Sequence, residues 1–344
     1  MRPLASLVLA AVLLALVAPL PARAADPMAR RVAAINAAAL PADARDGAPI
    51  RSVALLIRAQ ALLARARFSP GVIDGRAGSN LAHVLEAYQI ARGLPATGTL
   101  DARTWRRLLA EPTSARPVAR LYAITAADVA GPFAPDVGED LVKMAALPRG
   151  PLYSSPLEVL AARFHTTSDR LAALNPGVDF RKAGTRIVAL DGAPTPFRKG
   201  DVAEIRISKG KALAAAFDAK GRLLAVYPAT VGSRDRPSPT GLHKVASVSL
   251  PASYVYDPTR LAWGPRAHGK FTIKPGPKGP IGTVWIALDK PTYGIHGSPR
   301  AETIGKTASH GCVRLTNWDA EALAAGVGPG AKVSFLESRS GQAG

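Results

Sequence analysis

The spacing of apolar residues divides the chain into segments of different predicted structure. Between residues 50 and 110, apolar side chains recur every three to four positions, as in Val53, Leu56 and Ile57, which is the spacing of an amphipathic helix. Asp101 precedes Trp105 and Leu108 at a position suited to an N-cap. The pattern therefore predicts a small bundle of three helices over residues 49–110.

A second organised segment is predicted over residues 152–192. The run Ser155-Pro156-Leu157-Glu158 has the serine, proline and glutamate spacing of a capped helix start. A further short helix begins near Ser168, and Thr185 to Leu190 has the composition of a strand. We interpret residues 25–48 as a linker with a short helix around Val32–Ala38. The Pro-rich residues 111–151 form an irregular connector.

From residue 201 onward, the pattern changes to short runs typical of β-strands. We predict strands whose approximate bounds are Glu204–Ser208, Ala212–Asp218, Arg222–Tyr227, Leu242–Val248, Phe271–Lys274, Thr283–Leu288, Gly294–His296 and Lys332–Leu336. A helix is predicted over Asn317–Ala325. Residues 201–338 are thus expected to form a mostly β domain, a curved sheet or sandwich. The fold class is multidomain α+β.

The first residues predict export. Arg2 gives a basic start, an apolar run follows to Leu20, and Ala22-Arg23-Ala24 fits a signal-peptidase site. We interpret residues 1–24 as a signal peptide cleaved near Ala24, which predicts the periplasm or cell envelope. The formal net charge is +19. In an exported protein this charge favours an anionic envelope polymer over nucleic acid, although a generally basic composition would give the same value.

The single cysteine, Cys312, is the most informative residue for chemistry. It cannot form an internal disulfide, so it is a buried apolar residue, an intermolecular cross-link or a reactive thiol. A thiol near pKa 8.5 needs a base or a cation to become nucleophilic. His310 stands two positions before it and would share its face in a strand, while His296 could be brought opposite by the intervening loop.

Several neighbours complete this candidate site. The Gly311 amide could hold an oxyanion, and Arg314 could bind a carboxylate. Gly297 and Gly311 leave room for a substrate backbone to approach. The alternative is a zinc site, with His296, His310 and Cys312 as three ligands of the metal ion. The residues alone do not rank the two histidines.

These motifs resemble the catalytic domain of the L,D-transpeptidases. The matching residues are His296-Gly297-Ser298, Gly305 in the following loop, Ser309-His310-Gly311-Cys312-Val313-Arg314 and the earlier Ser238-Pro239-Thr240-Gly241. The resemblance implies Cys312 as nucleophile, His296 as general base oriented by a backbone carbonyl near Gly297 or Ser298, and His310 in support. Residues expected to contact substrate are Tyr293, Gly297, Ser298, Gly305, Ser309 and Arg314.

The two smaller segments resemble cell-wall modules. Val72-Ile73-Asp74-Gly75, Gly93-Leu94-Pro95-Ala96-Thr97-Gly98 and Thr104-Trp105 are similar to a peptidoglycan-binding domain. Leu174-Asn175-Pro176-Gly177 and Gly184-Thr185-Arg186-Ile187 resemble a LysM module, although Ser154-Ser155-Pro156-Leu157 replaces that family's usual opening turn. The second segment could bind glycan or serve only as architecture.

The resemblance implies acyl transfer between peptidoglycan stem peptides without a cofactor. Cys312 would form a thioester at the L-centre of a diamino-acid residue and release D-alanine, and an amine of a second stem or of a protein would accept the acyl group. The Pro- and Gly-rich residues 251–280, with Tyr254, Tyr256 and Trp263, would cover the site. The rivals are an L,D-carboxypeptidase, a non-catalytic wall-binding protein and a zinc amidase or peptidase.

Overall fold

The computed structural model describes residues 26–41, 49–261 and 263–337. The predicted signal peptide lies outside these residues. None of the helices within the described ranges combines the length and apolar character that crossing a bilayer requires.

The N-terminal unit is helical, as predicted. Its helices are α1 (Pro27–Ala37), α2 (Val53–Arg65), α3 (Ser79–Ala91) and α4 (Ala102–Leu109). The side chains of Ser52 and Asp101 cap α2 and α4, and the Asp101 carboxylate accepts from the Thr104 N–H at 2.7 Å. Helix α2 is buried on almost every side, because α1, α3 and α4 surround it.

The predicted linker and connector contain regular elements. In the linker, helix α1 begins five residues before the short helix predicted around Val32–Ala38, and its Asn36 side chain bonds the backbone of Val118 and Ala119. The predicted connector supplies strand β1 (Ala119–Ala123) together with helices α5 (Ala126–Val129) and α6 (Leu141–Ala146). The sequence did not reveal the elements of the connector, because each is short and depends on contacts with distant residues.

The middle unit continues with α7 (Pro156–Arg163), α8 (Ser168–Leu174) and β2 (Arg186–Leu190). Strands β1 and β2 are antiparallel, with Leu121 opposite Val188. The two-stranded unit therefore begins before residue 152, where the sequence placed its start. The Asn175 side chain fixes α8 against β2, because it donates to the Val188 carbonyl and accepts from the Val188 N–H.

The C-terminal unit is built around a curled sheet of eight strands among the described residues, in the order β11-β10-β9-β6-β12-β3-β4-β5. The strands are β3 (Val202–Ser208), β4 (Leu213–Phe217), β5 (Leu223–Pro228), β6 (Gly241–Ser249), β9 (Trp285–Leu288), β10 (Gly294–His296), β11 (Val313–Arg314) and β12 (Val327–Leu336). Strands β7 (Tyr254–Tyr256) and β8 (Phe271–Ile273) form a separate hairpin, and α9 spans Asn317–Gly326. The mostly β prediction is confirmed.

The residues that follow β5 close the curl of the sheet. Thr230 exchanges two backbone hydrogen bonds with Arg314 in β11, each of 2.9 Å. The next residue, Val231, accepts from the Ser309 N–H at 2.8 Å. This closure holds residues 309–314 from both sides, because β10 pairs with the other edge of β11.

The N-terminal unit packs directly on the curled sheet. Phe68 bridges Val226 of β5, and both side chains belong to one hydrophobic core that also includes the middle unit. The Ser69 hydroxyl donates to the buried Asp319 carboxylate of α9 at 3.0 Å. The helical and middle units are therefore joined to the C-terminal unit by a shared interior rather than by a loose linker.

Candidate functional site

Strands β10 and β11 place the candidate side chains on one face of the sheet. They run parallel, with His296 opposite Arg314 and Ile295 opposite Val313. Cys312 immediately precedes β11, and its sulfur accepts a hydrogen bond from the Gly294 N–H. Since residues two apart in a strand project to the same side, Gly294 and His296 share one face of β10.

The Cys312 thiol is half-buried. It contacts the Thr292 carbonyl at 3.6 Å, a contact in which the thiol is the donor. Burial raises the pKa of this thiol, although the Gly294 N–H and the Arg314 charge oppose the effect. Thr292 has φ of 70°, which is unusual for a β-branched residue and holds its carbonyl beside the sulfur.

His296 is fully buried and neutral. Its Nδ1 lies 2.7 Å from the Gly297 carbonyl, and burial lowers the pKa of the imidazole to about 3, with the Arg314 charge adding to the effect. A carbonyl oxygen can only accept, so Nδ1 carries the hydrogen and Nε2 keeps its lone pair. This is the tautomer that a general base requires, and the orienting carbonyl is the one that the resemblance implied.

The loop that precedes Cys312 is held by Ser309. The buried Ser309 hydroxyl donates to the Cys312 carbonyl at 2.5 Å and accepts from the Gly311 N–H at 3.1 Å. Ser309 therefore shapes the loop, and a role in binding substrate stays a prediction. The Gly311 amide is occupied by the same contact, so the Cys312 amide is the better candidate for holding an oxyanion.

The two glycines predicted to admit substrate are required by internal packing instead. A side chain at Gly297 would meet the Asn317 side-chain oxygen at 2.2 Å, and one at Gly311 would meet the Tyr293 ring at 2.9 Å. Gly311 also has φ of 117°. Asn317 was not singled out from the sequence, although it stands at the start of the one predicted helix of this unit.

His310 does not share the environment of His296. Residues 310–312 form a bend rather than a strand, so the two-residue spacing does not align His310 with Cys312. The imidazole is exposed and stacks on Trp263 at 4.6 Å between ring centroids and 12° between planes. Trp263 belongs to residues 251–280, so the predicted covering segment is in contact with the motif through His310.

Two buried polar atoms beside the thiol lack hydrogen-bond partners among the described residues. They are Nε of Arg314 and the hydroxyl of Tyr254, in β7. Burial and the Cys312 thiol both raise the pKa of Tyr254, and burial lowers that of Arg314. Buried polar groups in proteins are nearly always satisfied, so an oxygen of substrate or water is expected beside these donors. From the sequence, Tyr254 is expected only as part of a covering segment.

The remaining predicted contacts are spread over a wider region. Ser298 is buried, and its hydroxyl accepts from the Arg300 N–H at 3.3 Å. The Gly305 N–H donates to the Thr230 hydroxyl, and the Asn80 side chain of α3 bonds the neighbouring Ile304 carbonyl. Gly305 therefore belongs to the contact between units.

The structure does not assemble the alternative zinc site. Within the described ranges, no group of three or more His, Cys, Asp or Glu side chains is arranged to hold a metal ion. His310 faces Trp263, whereas His296 is directed to the Gly297 carbonyl through Nδ1. The three proposed ligands thus have separate partners.

Family models match two parts of the chain. The model "YkuD: L,D-transpeptidase catalytic domain" matches residues 202–334, and the model "Putative peptidoglycan binding domain" matches residues 53–108. The first match contains the curled sheet and the candidate site, and the second contains α2, α3 and α4.

Curated relatives carry the same family name. The "Putative L,D-transpeptidase YkuD" of Bacillus licheniformis is 34% identical over 183 residues, which are 52% of this chain and 92% of the relative. The "Probable L,D-transpeptidase ErfK/SrfK" of Escherichia coli is 27% identical over 194 residues, which are 54% of this chain and 60% of the relative.

Solved structures give a weaker likeness. L,D-transpeptidase 3 from Mycobacterium tuberculosis, in complex with a faropenem-derived adduct, is 17% identical, and the match covers 44% of this chain and 66% of that one at a TM-score of 0.33. An enzyme from Mycobacterium smegmatis is also 17% identical, with the same coverage of both chains and a TM-score of 0.32. The family assignment rests on the sequence relatives and the domain models.

Proposed function

The chain belongs to the L,D-transpeptidase family, and we propose that it transfers acyl groups between peptidoglycan stem peptides through a thioester on Cys312, with His296 as the general base. The single observation that carries this assignment is the state of His296. Its Nδ1 hydrogen is held by the Gly297 carbonyl, so Nε2 carries the lone pair that can accept a proton.

In the first half-reaction, the Cys312 sulfur attacks the carbonyl carbon at the L-centre of a diamino-acid residue in a donor tetrapeptide. The thiol proton passes to Nε2 of His296, so charge develops only as the new C–S bond forms. The tetrahedral intermediate collapses by breaking the C–N bond to D-alanine, whose amine takes the proton from His296. The products are a thioester and free D-alanine.

The second half-reaction regenerates the thiol. An amine of a second stem peptide, or of a protein, attacks the thioester carbonyl and gives its proton to Nε2 of His296. Breaking the C–S bond then returns this proton to the Cys312 sulfur. No cofactor is needed, because both steps exchange one acyl group between a thiol and an amine.

The unsatisfied donors beside the thiol suit a peptide substrate. Arg314 offers a guanidinium to a carboxylate, and Tyr254 offers a hydroxyl to a carbonyl or carboxylate oxygen. The hairpin that carries Tyr254 is positioned over the motif by the contact of Trp263 with His310. This cover would limit access of water, and so favour an amine over hydrolysis of the thioester.

The place of action is the cell envelope, where peptidoglycan lies. The matched peptidoglycan-binding domain is consistent with a wall polymer as the substrate. Export through a signal peptide at residues 1–24 is part of the proposal. A LysM-like role for the middle unit also remains a proposal, and its first strand, β1, has to be included in any fragment that tests it.

The test is to incubate the purified protein with a disaccharide-tetrapeptide and record the mass of intact protein and of soluble products. We expect a mass increase on Cys312, release of D-alanine and a cross-linked product when a second stem is present. Trapping by a carbapenem should give a stable adduct on the same residue. The Cys312→Ser variant is the control and should form no thioester.

The outcomes separate the rivals. A product that ends only in tripeptide, with water as acceptor, would identify a carboxypeptidase. Unchanged wall cross-linking by Cys312→Ser would leave a non-catalytic binding protein as the explanation. Activity that is lost with a chelator and retained after thiol alkylation would contradict the thiol mechanism.

A further inference from the structure

A second cavity lies where the three units meet, apart from the thiol. Its volume is about 660 Å³, and its walls are mostly polar. The helical unit contributes Asp74 and Arg76, and the middle unit contributes residues of α7 and α8. The C-terminal unit contributes residues 298–302, with Lys306 and Trp318. We call this cavity the junction groove.

In the junction groove, each unit places one cationic side chain for which no carboxylate lies within salt-bridge distance among the described residues. These cations are Arg76, Arg170 and Lys306. The other cations of the groove are neutralised, since Lys278 pairs with Asp136 and Glu158 at 3.0 and 3.1 Å, and Arg300 pairs with Glu139. The groove therefore has unpaired cations from three separate parts of the chain, although its lining contains equal numbers of basic and acidic residues.

The Arg170 side chain has one hydrogen-bond donor that is unsatisfied within the described residues. Its Nε is buried and has no hydrogen-bond partner within the described part of the chain. A buried guanidinium nitrogen is normally bonded, so an oxygen from a ligand or water is expected at this position. Asp169 and Glu302 stand on the same walls and form no ion pair in the described ranges. Groups that bind carboxylates and groups that bind ammonium are thus present together.

The junction groove is connected to the thiol site through residues 297–300. The Gly297 carbonyl orients His296, the next residue Ser298 lines the groove, and Arg300 lies close enough to lower the pKa of Arg314. Glu139, the partner of Arg300, acts on Arg314 in the opposite direction. Residues 297–300 therefore contribute both to the groove and to the surroundings of the thiol site.

We propose that the junction groove binds the charged stem peptide of a peptidoglycan strand, with Arg76, Arg170 and Lys306 contacting its carboxylates. The inference rests on the proposed function, which makes stem peptides the substrate. Such a peptide carries several carboxylates and, at its diamino-acid residue, an amine, which matches the mixed charges of the walls. The accessory units then bind wall polymer jointly with the catalytic unit, rather than as independent modules.

The test measures binding without chemistry. The full mature chain carrying Cys312→Ala is titrated with a disaccharide-tetrapeptide by calorimetry. Adding Arg170→Ala and Lys306→Ala should weaken binding at least tenfold, and the loss should diminish at high salt because screening removes the same charge interactions. The matched control is Arg103→Ala, an exposed arginine outside the groove, which should leave the Kd within twofold.

Competition identifies the recognised part of the ligand. An N-acetylglucosamine oligomer has no stem and should not displace the disaccharide-tetrapeptide. Unchanged affinity in the double variant, or equal displacement by the oligomer, would overturn the inference. Lys306 is exposed, so Lys306→Glu alone repeats the test if Arg170→Ala fails to fold. Thioester formation on the unaltered Cys312 is measured separately, so loss of the inference and loss of the proposed function give different results.

Discussion

Two contacts on one stretch of chain, residues 223–232, show how the same backbone can serve stability and chemistry. At Val226, β5 pairs with the N-terminal unit. The Val226 N–H donates to the Arg67 carbonyl, and the Val226 carbonyl accepts from the Ser69 N–H, each at 2.9 Å. At Thr230, four residues later, the same stretch bonds Arg314 at the same distance. We call these the accessory contact and the catalytic contact.

The two contacts differ in what their side chains do. Around the accessory contact, Phe68 and Val226 are buried in a common core, and Phe68 packs edge-on against Tyr88 at 5.2 Å. Around the catalytic contact, Arg314 and Tyr254 keep unsatisfied buried donors. Backbone pairing and apolar burial hold both segments, since the residues that flank Arg314 are buried in the core of the C-terminal unit. The second retains the polar groups that a substrate would satisfy.

The largest expected effect is on the catalytic contact. His296→Gln should slow carbapenem acylation of Cys312 by about 10²–10⁴-fold, because it removes the general base. His310→Gln should slow it by less than about tenfold, since His310 stacks on Trp263. Both rates are measured by intact mass against time. A greater loss for His310→Gln would reverse the assignment of the base.

The accessory contact should control stability instead. Phe68→Ala removes a buried ring and should lower the free energy of unfolding by about 3–5 kcal/mol. Acylation of Cys312 should remain within a fewfold of the parent at temperatures where the variant is folded. Urea denaturation and the same mass assay check these two results.

The control for Phe68→Ala is Ile90→Ala, on the exposed side of α3, which should change the free energy of unfolding by less than about 0.5 kcal/mol. A selective loss of acylation in folded Phe68→Ala would mean that the accessory contact also positions the thiol site.

A buried acid beside the accessory contact should make stability depend on pH. Burial raises the pKa of Asp319 to about 7, so the native state keeps a proton that the unfolded chain loses near pH 4. The contribution of Asp319 to stability therefore falls as pH rises from about 4 to about 7. Asp319→Asn removes this loss, so its free energy of unfolding at pH 7 should exceed that of the parent by up to roughly 4 kcal/mol.

The measurement is the difference in urea stability between Asp319→Asn and the parent at several pH values. Nearby His165 has a pKa lowered to about 4 by burial, and its stability contribution rises with pH up to about 6.5. This second slope is present in both proteins and cancels in the difference. A difference that does not change with pH would show that Asp319 is ionised in the native state.

The smallest expected effect is that of Tyr254→Phe, which distinguishes a contact with substrate from a contact within the fold. Tyr254→Phe removes a buried hydroxyl that has no protein partner in the described chain, so the free energy of unfolding should be unchanged or rise by up to about 1 kcal/mol. Acylation should slow about three- to tenfold, the cost of one hydrogen bond to substrate. Lower stability with unchanged acylation would instead assign Tyr254 to the fold.

The sequence by itself determined the helical unit, most strands of the curled sheet and the motif that contains Cys312. These features are local, because capping residues, the alternation of a strand and the order of a motif lie within a few positions. It did not reveal β1, which pairs with β2 more than sixty residues later. It also assigned Ser309 and Gly305 to substrate, whereas their polar atoms bond within the protein.

Only the tertiary structure decided which groups have partners. The depressed pKa of His296 arises from burial and from Arg314, which lies opposite it through strand pairing. The unsatisfied hydroxyl of Tyr254 and the junction groove likewise depend on residues that are distant in sequence. Local pattern specifies which elements form, whereas burial, charge and unsatisfied donors are set by the elements that meet.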